Sequence, residues 1–364
     1  MTILIYLGHP AQYHFVKNTV HNLLADGHHV KVLIKTKDIL EDLLKEDGWD
    51  YENIQSTYRK SSKISILLAS VSRTWQVLKI AKRFKADLLV GTDSSIAQAG
   101  WLLHKPAITI LEDDYQVIKN LAKLTYPFTD SILVPDCCSV GKWDSKKVPY
   151  YGYMKLAYLH PSRFTPSETI VRNYGIDSPY VLFRLSRLSA HHDVGIGGLD
   201  KAIVLSAIEK CKHFGYKVYI SSEGDMPGKL VDYRLKIKHT DMHHILAHAS
   251  ILVSDSQSMS VEAAMLGVPS IRFSDFSGRI SVLEELESKY GLTVGVKTNN
   301  PERLISVLTE WLALPTMKES FTQKRQKMLD EKIDVTAFFT WFLENYPESR
   351  QIMKDNPDYQ LRFK

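Results

Sequence analysis

Ile251-Leu252-Val253-Ser254-Asp255-Ser256-Gln257-Ser258-Met259-Ser260-Val261-Glu262-Ala263-Ala264-Met265-Leu266-Gly267-Val268-Pro269 reads as a strand, a turn, a helix and the start of a second strand. The apolar run Ile251 to Val253 has strand length and ends in a serine-rich turn. The spacing predicts a helix starting near Ser258, and Gly267-Val268-Pro269 stops it. Backbone N–H groups at a helix start have no partner within the helix and suit a phosphate. Ser256 and Ser258 add hydroxyl donors. Glu262 follows Ser258 by one turn on the same face, where a carboxylate can accept both hydroxyls of a ribose. The plainer alternative is that Ser256 or Ser258 only caps the helix and Glu262 is a solvated surface residue.

Outward from this segment the same strand-then-helix rhythm recurs. In the first half, strands are expected at Ile3 to Leu7, Val30 to Ile34, Leu88 to Val90, Ala107 to Leu111 and Ile132 to Val134. Between them lie amphipathic stretches. One carries Val16, Val20, Leu23 and Leu24 and stops at Gly27; a longer one carries Ile64, Leu67, Leu68, Val71, Trp75 and Leu78. Lys155 to Pro179, with Pro161, Pro166 and Gly175, breaks the rhythm and reads as a linker. It restarts with Tyr180 to Phe183, a helix from Leu199 to Phe214, Tyr216 to Ile220, Tyr233 to Ile237, Ile251 to Val253 and Pro269 to Phe273. The fold class is therefore α/β, with two Rossmann-like open parallel-sheet domains facing a cleft. The domains are placed at residues 1–160 and 161–335. Residues 336–364 supply an aromatic helix, expected to end at Pro347 and to pack back across the domain junction.

At 364 residues the chain is long enough for about two domains, at roughly 150 residues each. Only the extreme C-terminus is a candidate for disorder. A net charge of +5 suits an anionic small ligand or an anionic surface and is no nucleic-acid signature. Cys137 and Cys138 are adjacent and Cys211 is remote, so neither a disulfide framework nor a metal spacing follows. The first residues lack a basic signal-peptide region, and no apolar run approaches the roughly 20 residues of a spanning helix. A cytoplasmic protein is expected, at most membrane-associated.

The Ile251–Pro269 segment resembles the UDP-binding element of the glycosyltransferase-B superfamily, above all that of the UDP-N-acetylglucosamine 2-epimerases. Their pattern runs Asp-Ser-Gly-Gly, three variable residues, Glu-Ala, and a Leu-Gly-x-Pro close. Asp255, Ser256, Glu262, Ala263, Leu266, Gly267 and Pro269 fit it, whereas Gln257 and Ser258 stand where the family has glycines. The opening Gly8-His9-Pro10-Ala11-Gln12-Tyr13-His14, with Arg184 and His191-His192-Asp193, is most similar to an uncharacterised bacterial and archaeal branch of that superfamily. The resemblance implies a nucleotide-sugar site at Ser254, Asp255, Ser256, Gln257, Ser258 and Glu262. Arg184, Arg187, His191 and His192 would lie beside the diphosphate, their alternative being a salt-bridged loop.

The resemblance implies an acceptor-deprotonating residue in the loop after the first strand; His14, with His9 as its alternative, is the candidate, because an imidazole titrates near neutrality, and the plainer role is a helix-capping or hydrogen-bonded histidine. Asp93 and Glu112 follow strands of the first half; the resemblance implies epimerase-like proton-transfer groups there, while roles in acceptor binding or structure are the preferred expectation. Their plainer roles are helix capping and a surface position. His239, His243, His244 and His248 read as a surface helix rather than a metal site, and no metal or cofactor is expected. Arg73, Lys79, Lys82, Arg83 and Lys85 form the basic end of the long amphipathic helix, either solvated or near anionic lipid. The expected function is glycosyl transfer from a UDP-sugar, or a similar nucleotide-sugar, to a glycan or lipid-linked cell-surface precursor. A nucleotide-sugar 2-epimerase is the second reading, and a non-catalytic nucleotide-sugar-binding protein the third.

Overall fold

The computed structural model describes residues 1–36, 39–55, 63–185, 198–222, 224, 226 and 228–364, with backbone alone for 63–68. Two compact units emerge. One comprises Met1–Tyr158 together with Lys332–Lys364, the other Leu159–Glu331.

The first unit is built on a parallel sheet of β1 (Thr2–Leu7), β2 (His29–Lys35), β3 (Tyr51–Gln55), β4 (Leu88–Gly91), β5 (Ala107–Ile110), β6 (Ser131–Pro135) and β7 (Lys147–Tyr150). Its order is β3-β2-β1-β4-β5-β6-β7. The chain moves outward from β1 to β3, then returns past β1 to lay down β4. The two neighbouring strands β1 and β4 therefore flank a topological switch point, with Tyr6 paired to Gly91 at its carboxyl end. Ile3 to Leu7 are buried throughout, as a strand covered on both faces requires.

The second unit holds β8 (Tyr180–Leu185), β9 (Lys217–Ser222), β10 (Ile251–Ser254), β11 (Ser270–Phe273) and β12 (Thr293–Val296), in the order β12-β11-β10-β8-β9 and again all parallel. Its switch point lies between β8 and β10. The two open parallel α/β sheets read from the rhythm are thus present.

Several local expectations change. β3, β7 and β12 were not foreseen, and each is a sheet edge. An edge strand pairs on one side only, so it needs less apolar sequence and tolerates Pro149 in β7 and Gly295 in β12. Tyr233 to Ile237 is not a strand: only Arg234 bridges Ile220, and residues 228–233 form a 3-10 turn. Its alternation arises because Tyr233, Leu235 and Ile237 pack on the unit's core without building a ladder.

In the long helix Lys63–Phe84, Thr74, Val77, Ile80 and Ala81 face inward while Val71 and Trp75 face water. The apolar stripe therefore does not cover the sheet as a whole. Ile64, Leu67 and Leu68 lie outside the described side chains. Lys155 to Pro179 is more than a linker. It carries short helices at Leu156–Leu159 and Glu168–Asn173, and Val171 and Ile176 join the second unit's core.

The extreme C-terminus is folded. The helix Val335–Glu344 is followed, beyond Pro347, by another at Glu348–Asp355 and a 3-10 turn at Pro357–Phe363. Gln360 is fully buried and accepts from Tyr151 N at 2.6 Å.

Candidate functional site

In the second unit Arg184 and Ser254 are register partners on adjacent strands, at the carboxyl ends of β8 and β10. The peptide N–H of Asp255 donates to Arg184 O at 3.3 Å. From there Asp255 and Ser256 turn the chain into the helix Gln257–Leu266. The turn is tightened by Ser254 Oγ, which accepts from Ser256 N at 2.8 Å. Ser256 is the helix N-cap, its Oγ accepting from Met259 N at 3.4 Å. The N–H groups of Gln257 and Ser258, in the first turn, have no acceptor within the helix and meet the positive end of its dipole. Asp255 to Ser258 are all only half-buried. A helix N-terminus thus opens at the switch point, the position at which ligands of open α/β sheets bind.

Glu262 is 8% exposed, so it is not the solvated surface residue of the plainer reading. Its Oε1 lies 3.6 Å from His243 Nε2. Burying a carboxylate is costly unless it is paired or hydrogen-bonded, which makes its place on this helix a chemical feature. Gln257, where the resemblance has glycine, has a defined role. Its amide donates to Ser274 Oγ at 2.7 Å and accepts from Arg272 NH1 at 3.2 Å. The side chain is thereby drawn toward β11.

Arg272 was not foreseen. It is fully buried, and its guanidinium lies 3.4 Å from Glu284 and 3.5 Å from Glu287. Burial pushes the Glu287 carboxyl upward, against Arg272 and the Gly295 N–H that hold it down. A Cβ on Gly295 would stand 2.7 Å from Arg272 NH2, so this glycine makes room for the guanidinium. Glycine inside a strand is the one signal that could have pointed here.

Arg184 lies within β8 rather than after it, and its NH1 donates to Ser221 Oγ at 2.7 Å. Arg187, His191 and His192 lie outside the described residues. Gly198, the first described residue beyond them, passes so close that a Cβ there would be 3.0 Å from Asp255 Oδ2. His244 Nδ1 accepts from Ser167 N at 3.1 Å, His248 Nδ1 meets His244 O at 2.8 Å, His243 faces Glu262, and His239 lies in an exposed 3-10 turn.

In the first unit the switch point carries Gly8 and His9 after β1, and Thr92 and Asp93 after β4. His9 caps the helix Pro10–Ala25 by accepting from Ala11 N at 3.1 Å. His14 lies inside that helix, not in the loop, with its ring 5.1 Å from Tyr13 and 5.2 Å from Tyr158. Asp93 caps the helix Ser94–Leu103 through Ser95 N at 3.0 Å and is 3.8 Å from Arg73. Glu112 is no surface residue. It accepts from Met154 N at 2.6 Å and pairs with Lys155 Nζ at 2.7 Å, both side chains nearly buried.

These two open parallel units with their switch-point loops define the glycosyltransferase-B fold. The sequence matches no family model and no curated protein. Among solved structures it is similar to the UDP-GlcNAc 2-epimerase of Neisseria meningitidis bound to UDP-GlcNAc. The TM-score is 0.69 at 15% identity, over 95% of this chain and 100% of that one. It is also similar to MnaA of S. aureus in complex with UDP, with a TM-score of 0.68, 12% identity, and 96% and 98% coverage. The glycosyltransferase VinC in complex with dTDP gives a TM-score of 0.60 at 13% identity, with 98% and 100% coverage. At these identities the likeness establishes the fold.

Proposed function

We propose that this protein is a glycosyltransferase acting on a nucleotide-activated sugar, UDP-linked, and transferring it to a cell-surface glycan precursor. The observation that carries the reading is the half-buried helix N-terminus at the second switch point, with the buried Glu262 one turn behind it. The reading assigns the pyrophosphate to the N–H groups of Gln257 and Ser258 and the hydroxyls of Ser256 and Ser258. Glu262 holds the ribose. Arg184 or Arg187 neutralises the leaving diphosphate as its charge develops, with no bound metal. The acceptor and its base, His14, are assigned to the first unit. That similar folds have been solved with UDP, UDP-GlcNAc and dTDP supports a nucleotide ligand.

Transfer is favoured over 2-epimerisation by the state of the two first-unit carboxylates. Epimerisation needs acid–base groups on both faces of the sugar, so Glu112 and Asp93 would have to exchange their present contacts for the substrate. Glu112 is tied to Lys155 and a backbone N–H, and Asp93 is occupied as a helix cap.

The test is calorimetric titration with UDP of the native protein and of Glu262→Ala. Removing a charge-assisted pair of hydrogen bonds should weaken binding by roughly 1.5–3 kcal/mol. Equal affinities would remove Glu262 from the ribose. Incubation with UDP-sugars in the absence of any acceptor separates the two activities, since accumulation of an epimer overturns the transferase reading.

A further inference from the structure

Three helices of the first unit, Lys63–Phe84, Ser94–Leu103 and Lys119–Thr125, lie side by side. Thr74 Oγ1 donates to Gln98 Oε1 at 2.9 Å, and Gln98 Nε2 donates to Leu124 O at 3.1 Å, which ties all three together. On their outer surface stand Val71, Trp75, Trp101, Leu102 and Leu124, each 51% to 58% exposed. One exposed leucine is ordinary, but five large apolar side chains, two of them indoles, on adjoining helices mark a surface built for contact. The Trp101 ring is steadied edge-on by Phe128 at 5.5 Å.

Charge identifies the partner. The three helices contain no Asp or Glu. Lys79 and Lys82, on the Trp75 side of the first helix, and Lys119 and Lys123 of the third are exposed. Among the described residues none of the four forms an ion pair. Arg83, by contrast, is paired with Glu52, and Arg73 is turned toward Asp93. Lysine is depleted from protein–protein contact surfaces. Tryptophan with lysine and without acids is the composition that a negatively charged membrane–water boundary favours.

We propose that this face docks on an anionic lipid bilayer, the indoles and leucines entering the headgroup boundary and the lysines lying on the headgroups. It is a surface contact, as no helix among the described residues is long and apolar enough to cross a membrane. Trp101 lies seven residues beyond the first residue of its helix, so it stands on the order of 10 Å along the axis from the Asp93 cap. Substitutions on the face leave the candidate site residues untouched.

The full-length protein is tested by sedimentation with vesicles of phosphatidylcholine alone and of phosphatidylcholine mixed with phosphatidylglycerol. Binding is expected to the mixed vesicles only, weakening with added salt, and with blue-shifted tryptophan emission. Lys79→Gln and Lys123→Gln should each reduce the partition coefficient about fivefold. Trp75→Ser combined with Trp101→Ser should remove the blue shift. Thermal unfolding of the same variants should match the native protein, which shows that they are folded and keeps the vesicle result separate from the nucleotide assignment. Absence of binding to the mixed vesicles, or binding that the lysine and tryptophan variants leave unchanged, overturns the proposal. So does a dimer in sedimentation velocity that the tryptophan variants dissociate, since a second copy would then cover the face.

Discussion

Arg272 is among the largest fully buried side chains of the described residues, and it stands directly behind the turn assigned to the pyrophosphate. It neutralises Glu284 and Glu287 while steering Gln257, so one guanidinium couples the stability of the unit to the shape of the site. Arg272→Met keeps the volume but leaves the carboxylates without their cation. We expect a loss of about 2–4 kcal/mol in urea unfolding, below the full cost of a wholly buried pair because both glutamates reach water. A weaker UDP affinity should accompany it. An unchanged unfolding midpoint would show that the glutamates are held by other groups. The contrast with Glu262 is instructive. Glu262 was legible because helix spacing alone sets it against Ser258. Arg272 meets Gln257, Glu284 and Glu287 only after a strand and two helices have packed, and no local pattern announces such a meeting.

Among the elements, the helix Pro10–Ala25 shows how polar side chains fix a segment. Tyr13 Oη donates to Asp47 Oδ2 at 2.6 Å, and Lys17 Nζ donates to Oδ1 at 2.8 Å. Asp47 thereby ties this helix to the end of the helix Leu40–Glu46. Burial acts to raise the Asp47 carboxyl, but the bonds from Lys17 and Tyr13 outweigh it and hold the group below its usual value of 3.8. A depressed carboxylate contributes stability that is fully present above its unfolded value and is lost as the pH falls through the lower folded value. Native protein should therefore lose more stability than Asp47→Asn on acidification from about pH 5 toward pH 3, and the two melting temperatures should converge. Parallel melting curves across that range would exclude the linkage. Edge strands belong to the same scale. β3, β7 and β12 escaped the pattern of apolar runs because half their backbone needs no strand partner and their side chains need cover on fewer sides.

For the molecule as a whole, the chain order and the compact units differ. Lys332–Lys364 returns to the unit that begins at Met1. Phe339 stacks on Phe15 with ring centroids 5.1 Å apart, and Thr336 Oγ1 donates to Ala157 O at 2.6 Å. A Cβ on Gly152 would lie 2.5 Å from the Val335 side chain, so the approach is as close as glycine permits. Deleting residues 332–364 uncovers Phe15 and the helix around it. The truncated chain should be cleaved rapidly within residues 1–158 by a protease at low concentration, while 159–331 resists. Equal resistance of both portions would show that the returning segment is dispensable for folding.

The amino-acid sequence by itself determined the central strands and a helix starting near Ser258 with Ser256 or Ser258 as its cap, because these depend on periodicity and on chemistry within a few residues; the structure starts that helix at Gln257 and makes Ser256 the cap. Only the tertiary structure decided which strands sit at the edges, that Glu112 is bound to Lys155, and that Trp75 faces water instead of the core. Those outcomes rest on contacts between residues remote in the chain, whose free energies depend on packing geometry that no local spacing encodes.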